Sequence, residues 1–120
     1  MARILILSSD VVRTELVRAV LMGLQAEVRV AEDLAAFYRL TEQLVYEVVL
    51  VVGVWPFCCG AEVLRRVRPR PLRRPEVYLL SWHQAEQTVL GMLECGVDQY
   101  MTFPLNPGRL RAKVIGVLER

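Results

Sequence analysis

Val48-Val49-Leu50-Val51-Val52, followed by Gly53 and then Pro56, is the most hydrophobic run in the chain. Five aliphatic residues are too few for a helix. With no polar alternation they read as a strand buried on both faces, at the centre of a sheet. Arg3-Ile4-Leu5-Ile6-Leu7 is a second run of this kind upstream. Glu27-Val28-Arg29-Val30-Ala31 alternates instead, as a strand nearer an edge does. Downstream, Val77-Tyr78-Leu79-Leu80 reads as a strand ending at Ser81, and Asp98 to Phe103 as a fifth.

Helical patterns fill the intervals. Ser8-Ser9-Asp10 supplies N-cap chemistry, and Val12, Leu16, Val20 and Leu24 then recur every fourth residue as one apolar stripe. Asp33 caps a second helix with Leu34, Phe37, Tyr38, Thr41, Leu44 and Val45 on one face. A third starts over Glu62 to Val67 and must stop near Pro69. Ala85 to Cys95 forms a fourth, with Gly96 as its C′ residue. Asn106-Pro107 caps and opens the last, whose apolar face is Leu110, Val114, Val117 and Leu118. Five such units imply an α/β fold: a five-stranded parallel sheet with helices on both faces, doubly wound as (βα)5. No linker or repeat divides residues 1–120, which read as one domain. The functional crevice of such a sheet lies at the C-terminal ends of its strands.

Composition agrees. The chain has 120 residues, is 54% hydrophobic and 23% charged, and carries a net charge of +2. That excludes a disordered chain and a protein that holds nucleic acid by bulk charge. The longest uncharged stretch, Val48 to Ala61, is shorter than the roughly twenty residues of a membrane span and contains Gly53, Pro56 and Gly60. No signal peptide is visible, so a cytoplasmic setting is expected. Cys58, Cys59 and Cys95 lack zinc spacing, and adjacent cysteines rarely bridge; they read as reduced thiols, with no thiolate-stabilising neighbour evident for Cys58 and Cys59.

Cys95-Gly-Val-Asp-Gln-Tyr-Met-Thr-Phe-Pro-Leu-Asn-Pro107 resembles the closing segment of response-regulator receiver domains, where a Gly-Ala-Asp-Asp-Tyr stretch leads to Lys-Pro and the last helix. The resemblance extends over the whole chain in length, element order and spacing. It implies a chemotaxis-type, flavodoxin-like receiver fold. By its offsets from Pro56 and Gly60, Val52 stands where the family has its phosphoacceptor aspartate. Ser8 and Ser9 stand where two acidic residues hold Mg²⁺, with Asp10 just beyond, and Phe103 stands where the family has lysine. Ser81 and Tyr100 match the switch pair.

Those departures remove the chemistry. Valine offers no nucleophilic oxygen, a Mg²⁺ site needs oxygen ligands, and phenylalanine cannot neutralise a phosphoryl oxygen. The resemblance therefore implies a degenerate pocket at Ser8, Ser9, Asp10, Val52, Ser81 and Phe103, with no catalytic residue, metal or cofactor. Val52 and Phe103 are expected to pack together beside Trp55 or Trp82.

A partner face is expected around Ser81 and Tyr100, with Asp98, Arg111 and Lys113 offering ion pairs across a homodimer built on the Ala85–Cys95 helix, the fifth strand and the last helix. Arg65, Arg66, Arg68, Arg70, Arg73 and Arg74 form a proline-broken basic patch at the opposite edge. It has no interleaved aromatics, so a solvated loop is favoured over a nucleic-acid site. His83, after Trp82, is a contact residue or simply solvated.

The expected function is a phosphorylation-independent receiver-like regulatory module, not an enzyme, acting through protein partners. Any output then comes from a partner or from regions beyond this chain. The competing reading is a binder of a small ligand or nucleic acid at the altered crevice or the arginine loop. A cavity lined by Ser8, Ser9, Ser81 and His83 favours it; a pocket filled by Val52 and Phe103 opposes it.

Overall fold

The computed structural model describes residues 2–53, 64–65, 75–82 and 85–120. Its strands are β1 (Ala2–Leu7), β2 (Ala26–Ala31), β3 (Val48–Val52), β4 (Glu76–Ser81) and β5 (Gln99–Thr102). Its described helices are α1 (Val11–Val20), α2 (Leu34–Gln43), α3 (Glu86–Glu94) and α4 (Pro107–Leu118). All strand pairs are parallel, in the order β2-β1-β3-β4-β5. The order reverses between β1 and β3, so the switch-point crevice opens beyond Leu7 and Val52.

The aliphatic run that announced the centre behaves as expected: every residue of β3 is buried. Its side chains alternate between two cores. Val49 and Val51 join Leu5, Leu7, Leu79 and Phe37 on the α2/α3 side. Val48, Leu50 and Val52 join Ile4, Ile6, Leu80, Val17 and Leu110 on the α1/α4 side. Burying one such aliphatic side chain contributes about 1.5–3 kcal/mol, which is why these runs override any local helix tendency. The outermost β2 leaves Arg29 exposed, consistent with its alternating pattern.

The caps read from sequence are in place. Asp10, Asp33 and Asn106 each accept the backbone N–H three residues on, from Arg13, Ala36 and Arg109. Gly96, with φ of 110°, turns the chain after α3 where a side chain would be strained.

Four expectations need correction. The stripe on α1 is misphased: Val12 and Leu16 are 71% and 53% exposed, and Thr14, Val17 and Leu21 form the buried line. Thr14 carries no apolar signal, yet its hydroxyl donates to Asp10 O at 2.7 Å and so enters the interior satisfied. Leu24 lies beyond α1, although it and Val20 still pack against the core. Val45 is 51% exposed, because α2 ends at Gln43 and Leu44 is already extended. β5 is one residue shorter at each end than expected, but Asp98 N still donates to Val77 O and Phe103 N to Ser81 O.

Of the expected Glu62–Val67 helix, Leu64 and Arg65 are helical, Leu64 buried and Arg65 exposed. The rest of that segment lies outside the described residues, as do Trp55, Cys58, Cys59, Arg66, Arg68, Arg70, Arg73, Arg74 and His83. Cys95, the described cysteine, is exposed and unbridged.

Candidate functional site

Ser8, Gly53 and Phe103, the residues that follow β1, β3 and β5, are held to neighbouring strands by backbone hydrogen bonds. Ser8 N donates to Ala31 O at 3.0 Å, Gly53 N to Leu80 O at 2.7 Å and Phe103 N to Ser81 O at 2.8 Å. Gly53, with φ of 90°, lets the chain leave β3 sharply enough to make its bond. The rim is thereby fixed to the sheet.

At the centre of this rim Val52 is 2% exposed. It belongs to the apolar cluster that contains Leu80 and Met101, with Phe103 and Leu105 packed against it. Val52 and Phe103 thus belong to the same apolar cluster. Among the described residues the neighbouring tryptophan is Trp82, whose ring centroid lies 6.4 Å from that of Phe103 at 57°; Trp55 lies outside them.

The polar positions are occupied by their own backbone. Ser8 is buried; its hydroxyl donates to Asp10 O and accepts from Asp10 N, both at 3.2 Å. Asp10 accepts the Arg13 backbone N–H at 2.9 Å and also bonds the Arg13 guanidinium. Those two bonds, the backbone one foremost, hold its carboxyl below the usual carboxylate range. Ser9 is exposed. Among the described residues, no three His, Cys, Asp or Glu side chains gather as a metal site.

Arg13 is the residue that reading the sequence missed. Its guanidinium carbon sits 4.0 Å from the Trp82 ring centroid and 5.3 Å from that of Phe103. One cation therefore joins α1, the end of β4 and the end of β5, and its carboxylate partner comes from its own helix cap. Such a stack contributes about 0.5–2 kcal/mol, depending on how far water is excluded. The signal available was Asp10 three residues before Arg13, an N-cap pair that reads as local; the aromatic partners come from distant segments.

A groove of about 400 Å³ opens beside this closure, bordered by Ser8, Ser9, Thr14, Arg18 and Asp33. Val52, Ser81 and Phe103 do not border it. Ser81 is fully buried, and its hydroxyl has no hydrogen-bond partner among the described residues. A cavity lined by Ser8, Ser9, Ser81 and His83 is the mark of the ligand reading; Ser8 and Ser9 border this groove, Ser81 does not, and His83 lies outside the described residues.

The anticipated partner face is only partly available. Tyr100 is half-buried against the α2/α3-side core. Asp98 is half-buried, and its carboxylate accepts Val77 N at 2.8 Å, which fixes the start of β4 against β5. Lys113 is exposed. Arg111 donates through one guanidinium nitrogen to Val20 O at 2.8 Å and to Met22 O at 2.7 Å. These carbonyls lie at the C-terminal end of α1, where a cation is favoured. Arg111 therefore ties α4 to α1 within the chain.

The family model of the response regulator receiver domain matches residues 4–115. The transcriptional regulatory protein TrcR of Mycobacterium tuberculosis is 30% identical over 118 residues, 98% of this chain and 46% of TrcR. The chain thus spans about half the length of that relative. Among solved structures, the signal receiver domain of a DNA-binding response regulator from Colwellia psychrerythraea superposes with a TM-score of 0.86 at 18% identity, covering all of both chains. A response regulator from Thermotoga maritima gives 0.84 at 15% identity, covering 100% of this chain and 99% of the other. Both structural likenesses concern the fold. Among the described residues no helix is long and apolar enough to cross a membrane.

Proposed function

The chain belongs to the response regulator receiver domain family, and from that premise we propose that it is a pseudo-receiver: a phosphorylation-independent signalling module that works by protein–protein contact. The observation that carries this reading is Val52, sealed at 2% exposure in an apolar cluster where the resemblance puts a phosphoacceptor. Phosphotransfer needs a carboxylate nucleophile, oxygen ligands for a divalent cation and a cation to neutralise the phosphoryl oxygens. At these positions the chain has a valine, a serine bonded to its own turn, an aspartate bonded to Arg13 and a phenylalanine. That donor set does not fit Mg²⁺. Arg13 supplies a cation near the pocket, but its charge is already spent on Asp10 and two aromatic faces.

In this reading residues 1–120 act as one cytoplasmic, non-enzymatic domain without a cofactor, holding one conformation through the Arg13–Trp82–Phe103 stack. Partners dock on the face of α3, β5 and α4, where Leu90 and Leu93 are 50% and 39% exposed and Tyr100 and Lys113 stand alongside. A homodimer through that face would share Arg111 with α1, which holds one of its guanidinium nitrogens. Amide chemical shifts of the isotope-labelled domain, with and without Mg²⁺ and a small phosphodonor, test the reading. Unchanged shifts at Ser81, Tyr100 and α3 are expected; a coherent change spreading from Val52 to Tyr100 overturns it.

A further inference from the structure

The solvent face of α1 is unusually apolar. Among the described residues eight large hydrophobic side chains are exposed; four of them, Val11, Val12, Leu16 and Met22, lie on α1 and the turn after it, at 77, 71, 53 and 75% exposure. At 3.6 residues per turn, Val12, Leu16 and Ala19 fall opposite the buried line of Thr14, Val17 and Leu21. Single exposed hydrophobics are ordinary, but a contiguous stripe marks a contact surface.

Charge selects the occupant. Glu15 and Arg18 run along one flank of the stripe, 68% and 50% exposed, and their contact within the chain is long, at 3.9 Å. When a helix pairs antiparallel with a copy of itself, each flank meets the same flank of the partner with the residue order reversed. A two-fold axis passing between Leu16 and Val17 sets Glu15 of each copy beside Arg18 of the other. The same axis brings the two Leu16 side chains together and aims Val11 and Val12 at the far end of the second stripe. A parallel two-fold pairing instead brings that flank against the opposite one, with Arg13 and Val20, and forms no Glu15–Arg18 pair between copies. A recess of about 380 Å³ between α1 and β2, bordered by Glu15, Arg18 and Met22, leaves room along that flank.

We propose that α1 is the self-association face of this domain: two copies pair antiparallel through Val12, Leu16 and Ala19, with reciprocal Glu15–Arg18 ion pairs. The contact involves one short helix per copy, so the association is concentration-dependent and belongs to the small-interface class. It leaves the face of α3, β5 and α4 free, and it stands apart from the phosphorylation question.

Sedimentation velocity over a concentration series of the full chain tests it. The expected result is a monomer–dimer equilibrium that Leu16→Glu abolishes. Glu15→Arg and Arg18→Glu each weaken dimerisation roughly tenfold, as repulsion replaces two reciprocal surface pairs. The double charge swap, Glu15→Arg with Arg18→Glu, restores it, because the pairs re-form with their signs exchanged. Circular dichroism confirms that the variants are folded. A monomer at every concentration overturns the proposal. So does a double swap no better than the single variants, or a dimer that survives Leu16→Glu and is lost with Lys113→Glu. Binding of Leu16 to a different protein while the chain stays monomeric also overturns it.

Discussion

Returning a carboxylate to β3 tests whether the crevice has become core. In Val52→Asp, two buried methyl groups are lost at a position 2% exposed, within the cluster that includes Leu80 and Met101 and against which Phe103 packs. The lost burial costs about 2 kcal/mol. A carboxyl group without a partner adds about 1–3 kcal/mol. The sum is about 3–5 kcal/mol, a large part of the stability of a small domain. Desolvation raises the new carboxyl's pKa in the folded state above its unfolded value of about 3.9. The folded state then binds the proton more tightly, so the variant is least destabilised below the unfolded pKa and loses stability as pH rises toward the folded one. Urea unfolding followed by tryptophan emission at acid and neutral pH measures both effects. A penalty below about 1 kcal/mol with no pH dependence relative to wild type would refute the reasoning, because it requires a pocket already open to water.

Other consequences follow from the same contacts. Arg13→Ala removes the guanidinium 4.0 Å from the Trp82 ring centroid; the expected loss is about 1 kcal/mol with red-shifted Trp82 emission, and unchanged emission argues against the stack. Arg111→Ala frees Val20 O and Met22 O, and the expected cost of about 1–3 kcal/mol should appear with faster amide exchange at the end of α1; exchange unchanged there contradicts the tie. Burial pushes the Tyr78 phenol up to about 12 from 10.0, so its neutral form stabilises the fold fully below pH 10.0 and that contribution is lost as pH rises toward about 12. Spectrophotometric titration that shows Tyr78 ionising in the ordinary tyrosine range removes this account.

Much of the fold was legible because its signals are local and strong. Val48–Val52 has one reading at that length, and Asp33, Asn106-Pro107 and Gly96 punctuate helices through their own backbone chemistry. The phase of α1 was not legible, because two stripes compete. Val12, Leu16 and Val20 advertise hydrophobicity, while the line that turns inward includes Thr14, whose hydroxyl is satisfied only once the helix has formed. The pocket's apolar character was legible from Val52 and Phe103 by position. Arg13 and Arg111 were not, since their partners are defined only by the tertiary fold; Arg111 and Val20 are 91 residues apart in sequence. Side chains that act across such distances leave no periodicity to read.

The central claim is that no phosphoryl group can be carried at the end of β3. Intact-mass spectrometry of the native chain after incubation with Mg²⁺ and an excess of a small phosphodonor such as acetyl phosphate measures this directly. The account predicts an unmodified mass at every time point, with Val52→Asp equally unreactive while Phe103 and the Asp10–Arg13 pair remain. A phosphoryl adduct on the native chain, labile to hydroxylamine as an acyl phosphate is, contradicts it.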